Sequence, residues 1–206
     1  VQLFNQTRRG KMDQILQLIP AIMAALVTLI LFLNLNWRWN IIALSLQYVA
    51  VFWLVLSVWP TGLAAVKLVT GWMAGAVLAS SIPDEKISES NLFFSSKEEI
   101  RFRFVIWIIM VVIAWALVPN VADWLPIAKN LTFAGVLLIA MGMLQLSMTT
   151  QAYRIIFGLL TVFSGFEIMY ASLEKSVLVA GLLALVTMGL AFIGAYIMNL
   201  QNGSDQ

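Results

Sequence analysis

The chain has 206 residues, of which 62% are hydrophobic and 11% charged, with a mean hydropathy of +0.94; soluble domains carry about 25% charged residues. That length suits one helical membrane bundle and leaves no room for a large soluble domain beside it, and a net charge of +2 in the connecting segments is accounted for by basic membrane loops without a nucleic-acid partner. Cysteine is absent and histidine is absent, which excludes disulfides, iron–sulfur clusters, zinc sites and His-ligated haem, so neither a cofactor nor a metal is expected.

A spanning helix needs about 20 largely apolar residues. Seven stretches qualify: 14–33, 41–58, 61–80, 103–118, 127–148, 155–173 and 177–199. The expectation is an all-α, polytopic membrane helix bundle of about seven transmembrane helices, forming a single integral membrane domain over residues 1–206. The stretches are apolar all round and show no two-residue alternation, which argues against a barrel. Residues 1–13 are polar. The apolar stretch after them is too long for a signal-peptide core and has no evident small-residue cleavage site, so it reads as a retained helix. Pro20 falls inside it and is expected to kink it.

The connections carry the expected chemistry. Residues 34–40 form a polar turn bearing Trp37 and Trp39, and Trp59, Pro60, Thr61 and Gly62 form a tight one. The third span is followed by the longest polar stretch, 81–102, with Asp84, Glu85, Lys86, Glu89, Lys97, Glu98, Glu99 and Arg101. It is a solvated loop or a docking surface for a neighbouring subunit. Ser96 with Glu99 fits a capping box opening the fourth helix. Pro119, Asn120, Asp123, Trp124 and Pro126 bracket the fourth connection. Trp37, Trp39, Trp59 and Trp124 all fall where an interfacial aromatic belt would place them. In the loops alone, Arg38, Lys86, Lys97, Arg101, Arg103 and Arg154 lie on one side and Lys129 and Lys175 on the other, which favours a cytoplasmic 81–102 loop.

Ionisable groups within a bilayer are costly and are functional candidates by default. Lys67 lies about seven residues into the third span, roughly 10 Å of helix rise. Glu167 lies about six residues before the end of the sixth, roughly 9 Å. The third span starts on the side where the sixth ends, so the two groups share a depth. A Lys–Glu pair would offset much of the burial cost of each. Alternatively, each sits in a wet channel and exchanges protons. Lys67 is also close enough to the interface to snorkel, and Glu167 could hold a static bond to a neighbouring Ser, Thr or Lys. Gln47, Ser45, Gln145, Thr161 and Ser164 are expected to bond between helices, with Gln47, Thr70 and Ser164 as polar neighbours of the charges. Gly71 with Gly75, and Ala191 with Ala195 beside Gly194, have the small-xxx-small spacing of close helix packing. Glu174 and Lys175 read as an ordinary interfacial turn. There is no nucleophile–base pair, phosphate loop or nucleic-acid module. A retinal protein would need a lysine in the last helix, and 177–199 has none.

The two halves echo one another. Helices one to three and five to seven share an orientation with the fourth as linker, so 14–80 and 127–199 are candidate three-helix repeats. In each half the first turn carries an arginine before an apolar helix: Arg38-Trp39-Asn40-Ile41-Ile42-Ala43-Leu44 and Arg154-Ile155-Ile156-Phe157-Gly158-Leu159-Leu160.

On these residues the chain resembles a known family. Tyr153-Arg154-Ile155-Ile156-Phe157-Gly158, then Glu167 and the final helix, is similar to the C-terminal portion of hydrogenase-4 component E. The segment from Lys67 to Ile82-Pro83 is similar to that family's third helix. Each half resembles the small three-helix K subunit of respiratory complex I and its relative in multi-subunit cation/proton antiporters. The likeness is one of hydropathy and spacing with few identities. Gln47 stands near where the K subunit has its helix-two glutamate, and component E has its acidic residue about one turn before the position of Glu167. The resemblance implies a non-redox membrane-arm subunit of a proton-translocating complex in a prokaryotic inner membrane, or an energy-transducing membrane derived from it. Its partners would be antiporter-like and quinone-module subunits, and Lys67 and Glu167 its relay groups. A scaffold subunit is the second reading. An independent small-solute transporter is the third, since only Pro20 lies well inside a span and discontinuous helices are wanting.

Overall fold

The fold, seen in a computed structural model, is described over residues 2–34, 36–82, 97–125 and 127–203. Among these residues every regular element is an α-helix: α1 (Gln2–Leu33), α2 (Trp37–Leu56), α3 (Thr61–Ser81), α4 (Lys97–Trp124), α5 (Lys129–Ser147), α6 (Ala152–Leu173) and α7 (Val177–Gly203). Helices are the outcome lipid demands, because each closes its own backbone hydrogen bonds. The N-cap residues Asn36, Pro60, Ala128 and Gln151 make no side-chain cap bond, so capping is not what starts these helices. Six of the seven, α2 to α7, are long and apolar enough to cross a bilayer, and the apolar part of α1, Leu18–Leu33, is shorter. The molecule is a polytopic helical bundle of an integral membrane protein.

Several boundaries differ from the sequence expectation. The fourth helix begins at Lys97, before the apolar run, with Glu98 and Glu99 in its first turn, where acidic groups favour the helix dipole. Pro119, expected to break the chain, lies inside α4, which continues to Trp124. Pro20 lies inside α1. The polar stretch from 83 to 96, with Ser96 of the capping box, falls outside the described residues. Trp39 and Trp124 are exposed as an interfacial belt requires, but Trp59 is buried: its indole Nε1 donates to the Glu174 carbonyl at 3.0 Å, tying the α2–α3 turn to the α6–α7 turn.

The helices form two rows. Within the first row α2 touches α1 and α3; within the second α6 touches α5 and α7; across the rows α1 packs on α5, α2 on α6 and α3 on α7. Helix α4 stands at one end, against α1 and α5, with Val105, Ile109, Val112 and Trp115 facing outward. The tightest seam is α5 against α6. A Cβ on Gly165 would come within 2.6 Å of the Gly135 carbonyl oxygen, and one on Gly142 within 2.8 Å of the Gly158 oxygen, so the backbones meet where four glycines face in two pairs. On α3 the Gly71 backbone lies against the Tyr48 ring and Gly75 against Ser45; Gly194 on α7 meets Ile156 and Leu78.

Candidate functional site

Two of the bundle's apolar clusters bracket its polar residues. One joins Val51, Leu54, Ala64, Leu131, Ile168 and Ala180 near the α2–α3 and α6–α7 turns. The other joins Leu44, Tyr48, Ala74, Leu78, Phe157, Leu160 and Ala191 towards the opposite face. Between them, in sequence and in space, runs a polar layer contributed by four helices: Gln47 on α2, Lys67 and Thr70 on α3, Thr161, Ser164 and Glu167 on α6, and Thr187 on α7. All seven are buried.

Helical spacing builds the layer. Thr161, Ser164 and Glu167 recur every three residues and share a face of α6, and Lys67 on α3 reaches that face. Lys67 Nζ donates to Glu167 Oε1 in a direct ion pair, with the two side chains 2% and 1% exposed. Lys67 therefore does not snorkel. The pair crosses between the rows, from α3 to α6, so it joins the two halves at one level of the bundle.

The surroundings are sparing. Thr187 Oγ1 lies 3.2 Å from Glu167 Oε1 and 3.0 Å from the Leu183 carbonyl; its single proton can go to only one of them. Glu167 Oε2 is buried with no hydrogen-bond partner. The Tyr48 hydroxyl is likewise buried and unpartnered, within electrostatic reach of Glu167 and beside Ser164. Thr161 Oγ1 donates to the Phe157 carbonyl at 2.8 Å and lies 3.4 Å from Gln47 Oε1, whose amide nitrogen has no partner.

Of the polar side chains expected to bond between helices, only Gln47 and Thr161 come within reach of one another, Gln47 Oε1 competing with the Phe157 carbonyl for the Thr161 proton. Ser45, Ser164 and Thr70 donate to carbonyls one turn back on their own helices, and the Gln145 amide nitrogen is unpartnered. Gln47, Thr70 and Ser164 all belong to the layer, Thr70 one turn beyond Lys67 and bonded to the Val66 carbonyl of its own helix. Sequence reasoning passed over Tyr48 and Thr187. The signal for Thr187 was available, since it is the sole threonine of the final span; Tyr48 is marked only by following Gln47.

Chemically, the layer holds one cation and one anion in contact, with a free carboxylate oxygen on the far side. Moving one proton from Lys67 to Glu167 would turn the charged pair into a neutral one without moving a helix. No group of three or more potential metal ligands occurs among the described residues.

Fold and site together define an integral membrane helical bundle with an internal lysine–glutamate pair. The chain matches no protein-family model, no curated protein and no solved structure.

Proposed function

We propose that this protein is a non-redox membrane-arm subunit of a proton-translocating, complex-I-like oxidoreductase or antiporter-related complex, in which Lys67 and Glu167 relay protons or couple charge movement. The observation that carries the reading is the ion pair itself: two ionisable side chains sealed inside the bundle between the rows, with Glu167 Oε2 unpartnered. Burying two charges costs more than a scaffold requires, because apolar residues of like volume are often as stable or more so. An intramembrane pair is therefore a functional candidate by default. The absence of cysteine and histidine accords with a subunit that carries no electrons. The membrane would be a prokaryotic inner membrane or one derived from it, and the partners antiporter-like and quinone-module subunits.

The test is Glu167→Gln in the complex that co-purifies with the tagged chain. The expected result is an intact complex with all its partners retained and impaired proton uptake in sealed vesicles; full proton transport would overturn the relay. A static pair is the second reading, favoured by the complete enclosure of both side chains. It requires that assembly fail in each single apolar variant and return in the double one.

A further inference from the structure

A second polar cluster lies on the opposite face from the α2–α3 turn, where α1 ends and α4 and α6 begin. Arg103 Nη1 donates to the Phe32 carbonyl at 3.1 Å, and Arg154 Nη2 to the Asn34 carbonyl at 2.9 Å. Two guanidiniums from different helices thus cap the negative C-terminal end of α1. Arg103 is neutralised by Glu99, which accepts from its Nε and Nη2 at 3.0 and 2.6 Å. Arg154 is 7% exposed and has no carboxylate partner among the described residues. One positive charge is left over.

Arg103, Arg154, Gln145 and Thr149 line a half-open crevice of about 10 Å³ between these helix ends, room for about one water-sized atom. Three features point to its occupant. The side-chain nitrogens Arg154 Nε and Gln145 Nε2 are buried without a hydrogen bond, the Tyr153 hydroxyl beside Arg154 being likewise unbonded; both nitrogens are donors. Gln145 is also 7% exposed, so water outside the crevice reaches neither well. The two guanidiniums lie close enough to repel and share the one carboxylate of Glu99, so a further anion would offset the positive charge left over. Guanidinium forks suit phosphate oxygens, and basic pockets between helix ends at a membrane surface suit lipid headgroups.

We propose that this crevice binds a phosphate group, one oxygen entering between Arg154 and Gln145 and the remainder lying over Arg103, the phosphate being carried by an anionic lipid or free in solution. The site is separate from the Lys67–Glu167 pair and stands whether or not that pair moves protons.

The experiment titrates the purified full-length chain in neutral detergent with dioctanoyl phosphatidylglycerol, dioctanoyl phosphatidylcholine or inorganic phosphate, following thermal unfolding. Stabilisation by phosphatidylglycerol alone assigns a lipid headgroup. Stabilisation by phosphatidylglycerol and inorganic phosphate, or by inorganic phosphate alone, assigns the phosphate itself. Equal effects of the two lipids without an effect of phosphate, or no effect of any, overturn the proposal. Gln145→Leu removes an amide whose nitrogen is unpartnered and should raise the half-saturating concentration about three- to tenfold; Arg154→Lys, which keeps the charge and loses the fork, should raise it more. Arg154→Lys also perturbs the α1 cap, so Gln145→Leu decides: wild-type binding by that variant overturns the assignment.

Discussion

Removing one member of the Lys67–Glu167 pair leaves the other charged, buried and without a counter-ion. Lys67→Ala and Glu167→Ala should each cost about 3–5 kcal/mol, whereas Lys67→Met with Glu167→Leu should recover most of the loss. Unfolding of the four proteins in one detergent measures this, and a double variant as unstable as the sum of the singles would refute the pairing. The lesser contacts rank lower. Thr187→Val deletes a hydroxyl that already has a second acceptor on its own helix, so its loss should be about 0.6 kcal/mol, typical of membrane hydrogen bonds. Tyr48→Phe removes a buried hydroxyl without a partner and should be neutral or stabilising by up to about 1–3 kcal/mol, the desolvation penalty of such a group; a destabilised Tyr48→Phe would reveal a bonded partner. The two charges were legible in the sequence because lipid makes any mid-span charge conspicuous. Tyr48 was not, and the lone Thr187 of the final span marked a polar position but not its partner, because nothing in a hydroxyl's identity says whether it turns inward or bonds its own helix. That depends on helix rotation, which apolar residues all round leave unspecified.

At the scale of elements, glycine decides how closely α5 and α6 approach. Gly135 and Gly142 on α5 face Gly165 and Gly158 on α6, seven residues apart on each helix. Seven residues is two turns, so each pair shares one face. Without a hydrophobic force between helices in lipid, such close packing is a main source of association. Gly165→Ala would drive a methyl to 2.6 Å from a carbonyl oxygen and 2.8 Å from a backbone nitrogen, and backbone atoms cannot rotate away. The expected loss is at least the 1–3 kcal/mol of ordinary overpacking. Gly181→Ala and Gly189→Ala meet nothing within 4 Å and should leave stability unchanged or raise it by up to about 1 kcal/mol, the helix-propensity gain. Thermal unfolding of the three variants separates the cases. The spacing of four picked out Gly71 and Gly75 on α3 but not this seam, whose period is seven. The helices themselves were legible from hydropathy. Their ends were less so: α4 runs through Pro119 and starts six residues before its apolar run, because polar flanks continue a helix at no cost once it leaves the lipid.

At the scale of the molecule, the two rows raise a question of handedness in the membrane. A unit of three helices running alternately up and down ends on the opposite side from its start, so two such units joined directly would be inverted. One further helix, α4, restores the orientation and makes the rows parallel. This explains why α4 is present although it contributes nothing to the buried layer and packs chiefly on α1 and α5. It also explains how Lys67, near the start of α3, meets Glu167, near the end of α6: both helix ends lie on one side, where Trp59 holds the Glu174 carbonyl. The chain has no cysteine, so single introduced cysteines report their side without background. In sealed, oriented vesicles treated with an impermeant maleimide, Asn36→Cys and Gln151→Cys, both exposed in turns, should label from one face. Ser57→Cys and Lys175→Cys, exposed in the paired turns, should label from the other. Inverted rows would instead split Asn36 from Gln151, and that result would place Lys67 and Glu167 at different depths and dissolve the pair on which the functional reading depends.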